Sequence, residues 1–452
     1  MQEDGYGMNR QTEQTPASVS TRTKQAGGTH ARWSWVEPSV WSERMLTTLD
    51  KGVKGGQWFS LIDKVYSKRT LQAAFAKVKT NKGASGIDHV STKKFENDLE
   101  NNLERLHYQL KDGSYHPQAI RRKHIPKPGN RREKRPLGIP TVRDRLVQTA
   151  LRSVLEPIFE KKFAPMSFGF RPNRSCKDAL RCVQEYLNEG YTAVVDADLQ
   201  NYFDTISHER LMEIIRQRIS DSRTLGLVEQ FLKQDIMDGV ARWTPENGSP
   251  QGAVISPLLS NIYLNELDHL MIEYGFRMVR YADDLVILCK TTHEAQSALE
   301  LLNRWVKDAS LTLHPTKTCI VDAVKEGFDF LGYRFVNHVR LVSDKSIRKL
   351  KDTLRSKTKR SRGDSMGTIV KDVNKTLKGW FEYFKHSRPC SFRPIDQWLR
   401  VRLRSILRKH NKMKLGGWAG ENHIRWPNSF FADLGLFFLV DARAKSSQPA
   451  LR

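Results

Sequence analysis

Residues 276–288 read Phe-Arg-Met-Val-Arg-Tyr-Ala-Asp-Asp-Leu-Val-Ile-Leu, in which two apolar runs enclose Tyr281-Ala282-Asp283-Asp284. Apolar runs on both sides of a short turn are typical of two antiparallel strands joined as a hairpin. The hairpin would present two adjacent carboxylates at its tip. Such a pair can hold divalent cations between protein and phosphate, provided that a third acid arrives from elsewhere in the chain.

The third acid is predicted to be Asp198. It follows the β-branched run Thr192-Ala193-Val194-Val195, so it would lie at the end of a strand and face a cleft. An Asp-Asp pair after an apolar run is, taken alone, more often a solvated turn than a metal site. The surrounding sequence decides between these two interpretations.

Four longer segments carry a family resemblance, in this order along the chain: RPLGIPTVRDRLVQTAL (135–151), LEPIFEKKFAPMSFGFRPNRS (155–175), GSPQGAVISPLLSNIYLNELD (248–268) and RYADDL (280–285). Together they resemble a group II intron reverse transcriptase and maturase. The resemblance extends from about Trp58 to near Leu439 without a large gap. It implies an α+β, right-hand polymerase fold with fingers and palm, followed by an α-helical thumb or maturase X domain.

The predicted organisation has five parts: a disordered tail (1–32), an N-terminal extension (33–57), reverse transcriptase fingers and palm (58–335), a thumb or X domain (336–415) and a C-terminal RNA- or DNA-binding extension (416–452). Helical spacing of apolar residues predicts helices between Leu61 and Leu110. Ten basic residues, interrupted by Pro and Gly, favour strands and loops from Arg121 to Arg145. Three amphipathic helices are expected to build the thumb.

The resemblance assigns roles to individual residues. Asp198, Asp283 and Asp284 would be catalytic and bind metal, with Leu199 beside them in the metal site, and Lys317 would protonate leaving pyrophosphate. Asp196 and Asp204 would lie outside the metal site. The residues expected to bind the nucleotide are Lys127, Arg135, Phe203, Gln251 and Gly252, of which Phe203 would exclude a 2′-hydroxyl. The residues expected to bind nucleic acid are Arg348, Lys351, Arg355, Arg400, Arg404 and Arg408.

The implied cofactor is a pair of Mg²⁺ ions, with Mn²⁺ as an alternative. The implied partners are intron RNA, an RNA template, a DNA primer or target, and deoxynucleoside triphosphates. Some family members end in a zinc-dependent nuclease domain with paired cysteines and histidines. This chain has His410 and His423 but no cysteine after Cys390, so a member without that domain is expected.

Composition agrees with a nucleic-acid partner. The chain has 452 residues and a formal net charge of +25, and clustered Lys and Arg gain affinity for phosphate backbones by displacing counterions. Its five cysteines form no CxxC pair, which favours a reducing compartment. No apolar run approaches the roughly 20 residues of a membrane helix, so we expect a cytoplasmic protein that does not contact a membrane. The residues carry no signal for an oligomeric state.

Two other functions remain open from the sequence. One is a domesticated or defence- or repair-associated reverse transcriptase that copies other templates, which would be distinguished by the absence of an intron RNA structure around the gene. The other is an RNA-binding splicing factor whose polymerase fold has lost activity. The intact acids Asp198, Asp283 and Asp284 oppose the second alternative, because RNA binding alone makes no demand for them.

Overall fold

The computed structural model describes residues 32–53, 55–127, 130–411 and 419–447, and within them every side chain except those of 127, 130–133, 419–421 and 447. The predicted tail, 1–32, lies outside the described residues except for its last position. The N-terminal helices are α1 (Glu43–Lys51), α2 (Ile62–Tyr66), α3 (Lys68–Thr80), α4 (Thr92–Glu96) and α5 (Leu99–Asp112). Trp33 and Trp41 are buried in the same core as these helices, so the aromatic residues before Trp58 do pack on the fold.

A basic hairpin follows, made of β1 (Ile120–Lys127) and β2 (Asn130–Ile139). With β4 (Ile236–Asp238) and β5 (Ala241–Trp243) it forms a sheet in the order β2-β1-β4-β5. The expectation of strands and loops up to Arg145 is wrong at its end, because helix α6 (Val142–Glu160) begins there. Thr141 caps this helix by accepting a hydrogen bond from the Asp144 backbone N–H, which satisfies an amide that the helix cannot pair internally.

The palm is built around a second sheet. Its strands are β3 (Ala193–Asp198), β6 (Arg277–Tyr281), β7 (Asp284–Cys289) and β8 (Cys319–Asp322), in the order β6-β7-β3-β8. The helices of this region are α7 (Cys176–Asn188), α8 (Tyr202–Thr205), α9 (His208–Arg216), α10 (Ser222–Leu232), α11 (Ser256–Glu273) and α12 (Thr292–Asp308).

The two faces of the palm sheet pack into different cores. Val195 and Ile287 belong to a core shared with the fingers and with α11 and α12. Val194 and Leu288 belong to a second core, shared with α7 and the thumb. Because side chains alternate along a strand, the residues that follow Val194 in steps of two lie on the thumb-facing side of β3.

A small antiparallel sheet of β9 (Phe328–Phe330), β10 (Tyr333–Val336) and β11 (Val339–Val342) leads from the palm into the thumb. Its helices are α13 (Asp344–Lys357), α14 (Met366–Phe384), α15 (Arg393–His410), α16 (Ala419–Arg425), α17 (Asn428–Asp433) and α18 (Leu439–Ser447). Leu354, Val373 and Leu403 come from three different helices and are buried together, which confirms the shared core predicted for the thumb. Among the helices of the described ranges, none combines the length and hydropathy that a membrane-spanning segment requires.

Candidate active site

The predicted acids lie at one end of the palm sheet. Asp198, the last residue of β3, is directly opposite Asp284, the first residue of β7. Tyr281 pairs with Asp284 across the β6–β7 hairpin, so Ala282 and Asp283 form a two-residue turn beside this pair. Directly opposed residues of antiparallel strands have Cβ atoms only about 5 Å apart. The register of three strands therefore brings together residues that are more than eighty positions apart in the chain.

The turn has little freedom to move. Ala282 adopts a positive φ of 60°, which a residue with a Cβ rarely does outside tight turns. The backbone of Gly169 lies against it, and a Cβ on Gly169 would be 2.2 Å from the Ala282 nitrogen. Glycine is thus required where the loop before α7 crosses the hairpin.

A buried arginine connects the hairpin to helix α11. Arg280 is 0% exposed and donates from Nε to Oδ1 of Asp268 on α11 at 2.7 Å. A second nitrogen donates to the other Asp268 oxygen, and Nη1 donates to Asn261 Oδ1 at 3.0 Å and to the Ala282 carbonyl at 2.9 Å. Asn261 in turn donates to the Gly169 carbonyl at 2.8 Å. Sequence reasoning assigned no role to this network, although a charged residue within an apolar strand was a signal for it.

The two carboxylates of the hairpin turn, Asp283 and Asp284, both have a raised pKa, chiefly because they are desolvated. Desolvation within the cleft, followed by the charges of Asp283 and Asp198, raises the pKa of Asp284 to about 6, even though its side chain remains open to solvent. Desolvation and Asp198 also raise the pKa of Asp283, whereas Arg135 and Arg280 act in the opposite direction. Excess negative charge is therefore concentrated at this end of the sheet, and a bound cation would relieve it.

Lys317 contacts the site directly. Its Nζ lies 2.6 Å from Oδ2 of Asp198, while its side chain is 61% exposed. The adjoining loop is held to β3, because the backbone N–H of His314 donates to the Asp198 carbonyl at 2.7 Å. Lys317, the lysine predicted to protonate the leaving pyrophosphate, thus forms an ion pair with Asp198 in this structure. Leu199 is buried just beyond, in a bridge with Leu313.

Asp196 and Asp204 are the two acids that the sequence analysis sets outside the metal site. Asp196 lies on the same face of β3 as Asp198 but two residues earlier in the strand. There it is paired with Val286 of β7 on one side and Cys319 of β8 on the other. Burial, followed by the charge of Asp284, raises its pKa to about 7. Asp204 lies on α8, the short helix that follows β3, and its side chain is exposed.

The fingers sheet and the glycine-rich loop approach each other at the cleft. The Gly138 backbone N–H on β2 donates to the Gln251 carbonyl at 2.6 Å. Gly252 has a φ of 106°, and a Cβ there would be 2.4 Å from the Gly138 carbonyl oxygen. Arg135, whose charge opposes the rise in the pKa of Asp283, is on the same strand as Gly138. The side chain of Lys127 lies outside the described residues.

Phe203 is anchored on the same side of the cleft. Its carbonyl accepts from the Ser249 backbone N–H at 2.7 Å, which ties α8 to the loop that carries Gln251. Its ring is half-buried and meets the Phe170 ring edge-on, with centroids 6.4 Å apart. Phe170 is itself 41% exposed and has a positive φ of 59°.

Comparison with known proteins identifies the family. Residues 125–335 match the model of the reverse transcriptase (RNA-dependent DNA polymerase) family, and residues 347–424 match that of the group II intron maturase-specific domain. Protein YkfC of Escherichia coli (strain K12) is 35% identical in an alignment 348 residues long that covers 68% of this chain and 86% of YkfC. The chain belongs to the group II intron reverse transcriptase and maturase family.

Other relatives share shorter regions. The group II intron-encoded protein LtrA of Lactococcus lactis subsp. cremoris is 37% identical over 215 residues, which are 47% of this chain and 35% of LtrA. The chain thus aligns with about a third of LtrA. Among solved structures, a partial Cas6-RT-Cas1–Cas2 complex covers 55% of this chain with 24% identity and a TM-score of 0.36.

The maturase-type thumb carries a cluster of cations around one indole. Lys351 and Arg355 of α13 and Arg402 of α15 all lie 5.4–5.6 Å from the ring centroid of Trp398. Arg348 is exposed on the same helix as Lys351. These side chains form a basic surface of the kind that meets phosphate backbones.

The prediction for Arg404 needs correction. This residue is buried, and its guanidinium donates to the Trp426 carbonyl at 2.9 Å and to Asn428 Oδ1 at 3.0 Å. It joins α15 to Trp426 and to the first residue of α17, so it is not placed to meet RNA at the surface. Arg400 and Arg408, on the same helix, are only partly buried, and Arg400 lies 5.5 Å from the Phe438 ring centroid.

The palm acids suit a divalent cation by their chemistry and charge. Mg²⁺ prefers oxygen ligands and commonly takes one or two carboxylates, with waters and substrate phosphates completing its coordination. Among the residues that the structure describes, no three His, Cys, Asp or Glu side chains lie close enough together to hold a metal ion by themselves. Asp198, Asp283 and Asp284 would therefore share the ions with substrate phosphates and waters. His410 meets the Arg362 carbonyl at 3.1 Å instead of another candidate ligand.

Proposed function

We propose that this protein is an RNA-directed DNA polymerase that copies an RNA template by two-metal nucleotidyl transfer and binds its intron RNA to promote splicing and retrohoming. The observation that carries the proposal is the pairing of Asp198 with Asp284 across β3 and β7, with Asp283 at the adjoining turn. Membership of the reverse transcriptase family and the maturase-specific match over 347–424 support the two halves of the proposal.

Asp198, Asp283 and Asp284 are the residues that would hold the ions. Bound Mg²⁺ supplies a lowered pKa for the primer hydroxyl and neutralises charge on the phosphates. Arg135, on strand β2 of the fingers, is assigned to the triphosphate, because its planar guanidinium suits phosphate oxygens. Gln251 and Gly252 bring a backbone close to the nucleotide. Phe203 limits the space beside its sugar, and Lys317 stands beside Asp198 as the proposed proton donor to pyrophosphate.

The test of this function is primer extension on an RNA template with Mg²⁺ and deoxynucleotides. A splicing assay with the intron RNA that flanks the gene would be run in parallel. DNA synthesis together with accelerated splicing supports both halves of the proposal. Splicing or RNA binding without any DNA synthesis would favour the splicing-factor alternative, and synthesis without an intron RNA would favour a domesticated reverse transcriptase.

Replacing Phe203 by Ala is expected to admit ribonucleotides. The side chain is half-buried at the cleft, and removing it opens the space that a 2′-hydroxyl would need. The measurement is the ratio of kcat/KM for a deoxynucleotide to that for the matching ribonucleotide, which should fall by roughly tenfold or more, since one lost steric contact is worth about 1 to 3 kcal/mol. Phe170→Ala, at the neighbouring ring, is the matched control. Unchanged selectivity in Phe203→Ala would remove the assignment.

Lys317 is expected to contribute to the rate of transfer rather than to nucleotide binding. Lys317→Met should lower kcat by roughly 10²-fold, the lower end of the range for a general acid, with a small change in the KM of the nucleotide. Single-turnover incorporation measures both parameters.

Lys317→Arg separates charge from proton transfer. Arginine keeps the positive charge beside Asp198 but does not give up a proton at accessible pH. A full rate in Lys317→Arg would show that charge alone suffices, and would contradict the proton-donor role. RNA binding by each variant provides the folding control.

A further inference from the structure

A basic pocket lies where the palm, the small thumb sheet and the last helix meet. It has a volume of about 380 Å³, within the roughly 300–1,000 Å³ typical of ligand sites. We call it the Arg340 pocket. It is lined by Gln184, His338, Val339, Arg340, His386, Ser387, Arg388, Pro389 and Arg443. Neither the candidate catalytic residues nor those expected to bind the nucleotide contribute to it.

The ionisable side chains that line this pocket are all basic. Three arginines and two histidines contribute to it, and no carboxylate does. Two acids of α7 and α14 already have basic partners: Glu382 pairs with Lys385 at 2.8 Å, and Asp178 pairs with Arg181 at 3.3 Å. Like charges held together in a folded protein repel one another, so a bound anion would relieve this arrangement.

Two buried polar atoms in the pocket lack partners among the described residues. They are Nε of Arg340 and Oγ of Ser387, and Ser387 is 1% exposed. The backbone of Ser387 is already used, because its N–H donates to Phe384 and its carbonyl accepts from Arg443 Nε at 3.3 Å. Both atoms are enclosed, so they leave unmet hydrogen-bonding capacity in the pocket wall, and a ligand would meet the exposed side chains of His386 and Arg388 instead.

The cations are held in place before any ligand binds. The Arg340 guanidinium lies 5.6 Å from the Tyr333 ring centroid. The backbone carbonyl of Arg340 accepts a hydrogen bond from the Arg388 backbone N–H at 3.0 Å. Gln184 of α7 donates to the His338 carbonyl at 3.0 Å, which ties the β10–β11 turn to the palm. Burial, followed by the charges of Arg340, Lys177, Lys385 and Arg443, lowers the pKa of His386.

We propose that the Arg340 pocket binds a backbone phosphate of the RNA partner, outside the polymerase cleft. Guanidinium groups match phosphate oxygens in geometry as well as in charge. His338, His386 and Arg388 are exposed, so a strand on the surface can reach the pocket. A phosphate held there would also connect α18, through Arg443, to the palm. The proposal rests on the RNA partner of the proposed function and does not depend on polymerase activity.

The experiment compares RNA affinity by fluorescence anisotropy, with a labelled RNA hairpin over a range of salt concentrations. Arg340→Gln/Arg388→Gln removes two pocket charges, and Arg44→Gln/Arg69→Gln removes two exposed charges from the N-terminal helices. The pocket variant should bind about tenfold more weakly, with a salt slope reduced by about one, whereas the control should stay within about twofold of wild type. Arg340→Lys/Arg388→Lys should recover most of the affinity. Equal affinity of the pocket and control variants would overturn the proposal.

Two further readouts separate the other outcomes. Arg388→Gln alone changes an exposed side chain, so it keeps the test valid if the double variant fails to fold. Inorganic phosphate is the second probe: if it raises the Tm of wild type more than that of the pocket variant, but RNA affinity is equal in both, the site takes free phosphate and the RNA assignment is wrong. Primer extension on a short template should persist in the pocket variant. A wild type that does not extend a primer would contradict the polymerase proposal and leave the affinity comparison intact.

Discussion

Asp283→Ala/Asp284→Ala is expected to abolish primer extension while leaving RNA binding within about twofold of wild type. Two of the three carboxylates at the end of the palm sheet are lost, and the charge that would hold the ions is lost with them. The rate should fall by roughly 10³-fold or more, because no nearby acid can replace these residues at the transition state. Asp196 does not substitute, since it lies one step deeper between Val286 and Cys319.

The matched control is Asp204→Ala, which removes a neighbouring carboxylate on α8. It should retain most of the activity. Incorporation by the double variant in a single-turnover assay is the quantity to compare, with an excess of enzyme and equal RNA occupancy. Extension by Asp283→Ala/Asp284→Ala at a tenth of the wild-type rate, or faster, would show that these acids do not hold the catalytic metals. An equally large loss in Asp204→Ala would place the acid site elsewhere in the cleft.

The acids could be predicted because their signal is local. An apolar strand followed by carboxylates can be recognised within a segment of about ten residues. The alternation of side chains along the strands then places Asp198 on the face that Asp284 also occupies. The family resemblance supplied the connection between them. Geometry adds the ion pair between Lys317 and Asp198, which joins residues 119 positions apart and leaves no trace in either segment.

The failures arise where a contact depends on a distant segment. Arg404 is grouped with the arginines of α15 that are expected to bind RNA because its neighbours are basic, but a later segment of the chain, with Trp426 and Asn428, covers it. Helical periodicity shows which residues share a face, and it does not show whether that face is later covered. At Val142 the start of α6 was missed for a different reason: the preceding prolines and glycine obscured the capping signal of Thr141 and Asp144.

Arg280 illustrates the same limit and leads to the largest expected change in stability. The residue lies in the strand that ends at the hairpin, and its partners Asp268 and Asn261 lie on α11. Arg280→Met removes one member of a fully buried ion pair and leaves the Asp268 carboxylate, 2% exposed, without its cation. Such losses cost about 3 to 5 kcal/mol in the free energy of unfolding. That is a large fraction of the total stability of a typical domain.

Chemical denaturation followed by circular dichroism measures this effect, with Arg334→Met as the matched control. Arg334 and Asp329 form an exposed pair at 3.2 Å, and its loss should cost about 1 kcal/mol or less. Arg280→Met/Asp268→Leu removes both buried charges, so it should be less destabilised than the sum of the two single variants. Additive losses, or an Arg280→Met loss no larger than that of Arg334→Met, would contradict the buried pair.

Arg280→Lys connects this stability to catalysis. Lysine keeps a positive charge but lacks the planar fork that meets Asp268, Asn261 and the Ala282 carbonyl together. Because the Ala282 bond restrains the turn that carries Asp283, the variant should lose more catalytic rate than its fraction of folded protein explains. Measuring kcat at a temperature where the variant is fully folded isolates that effect. A normal kcat under those conditions would assign Arg280 to folding alone.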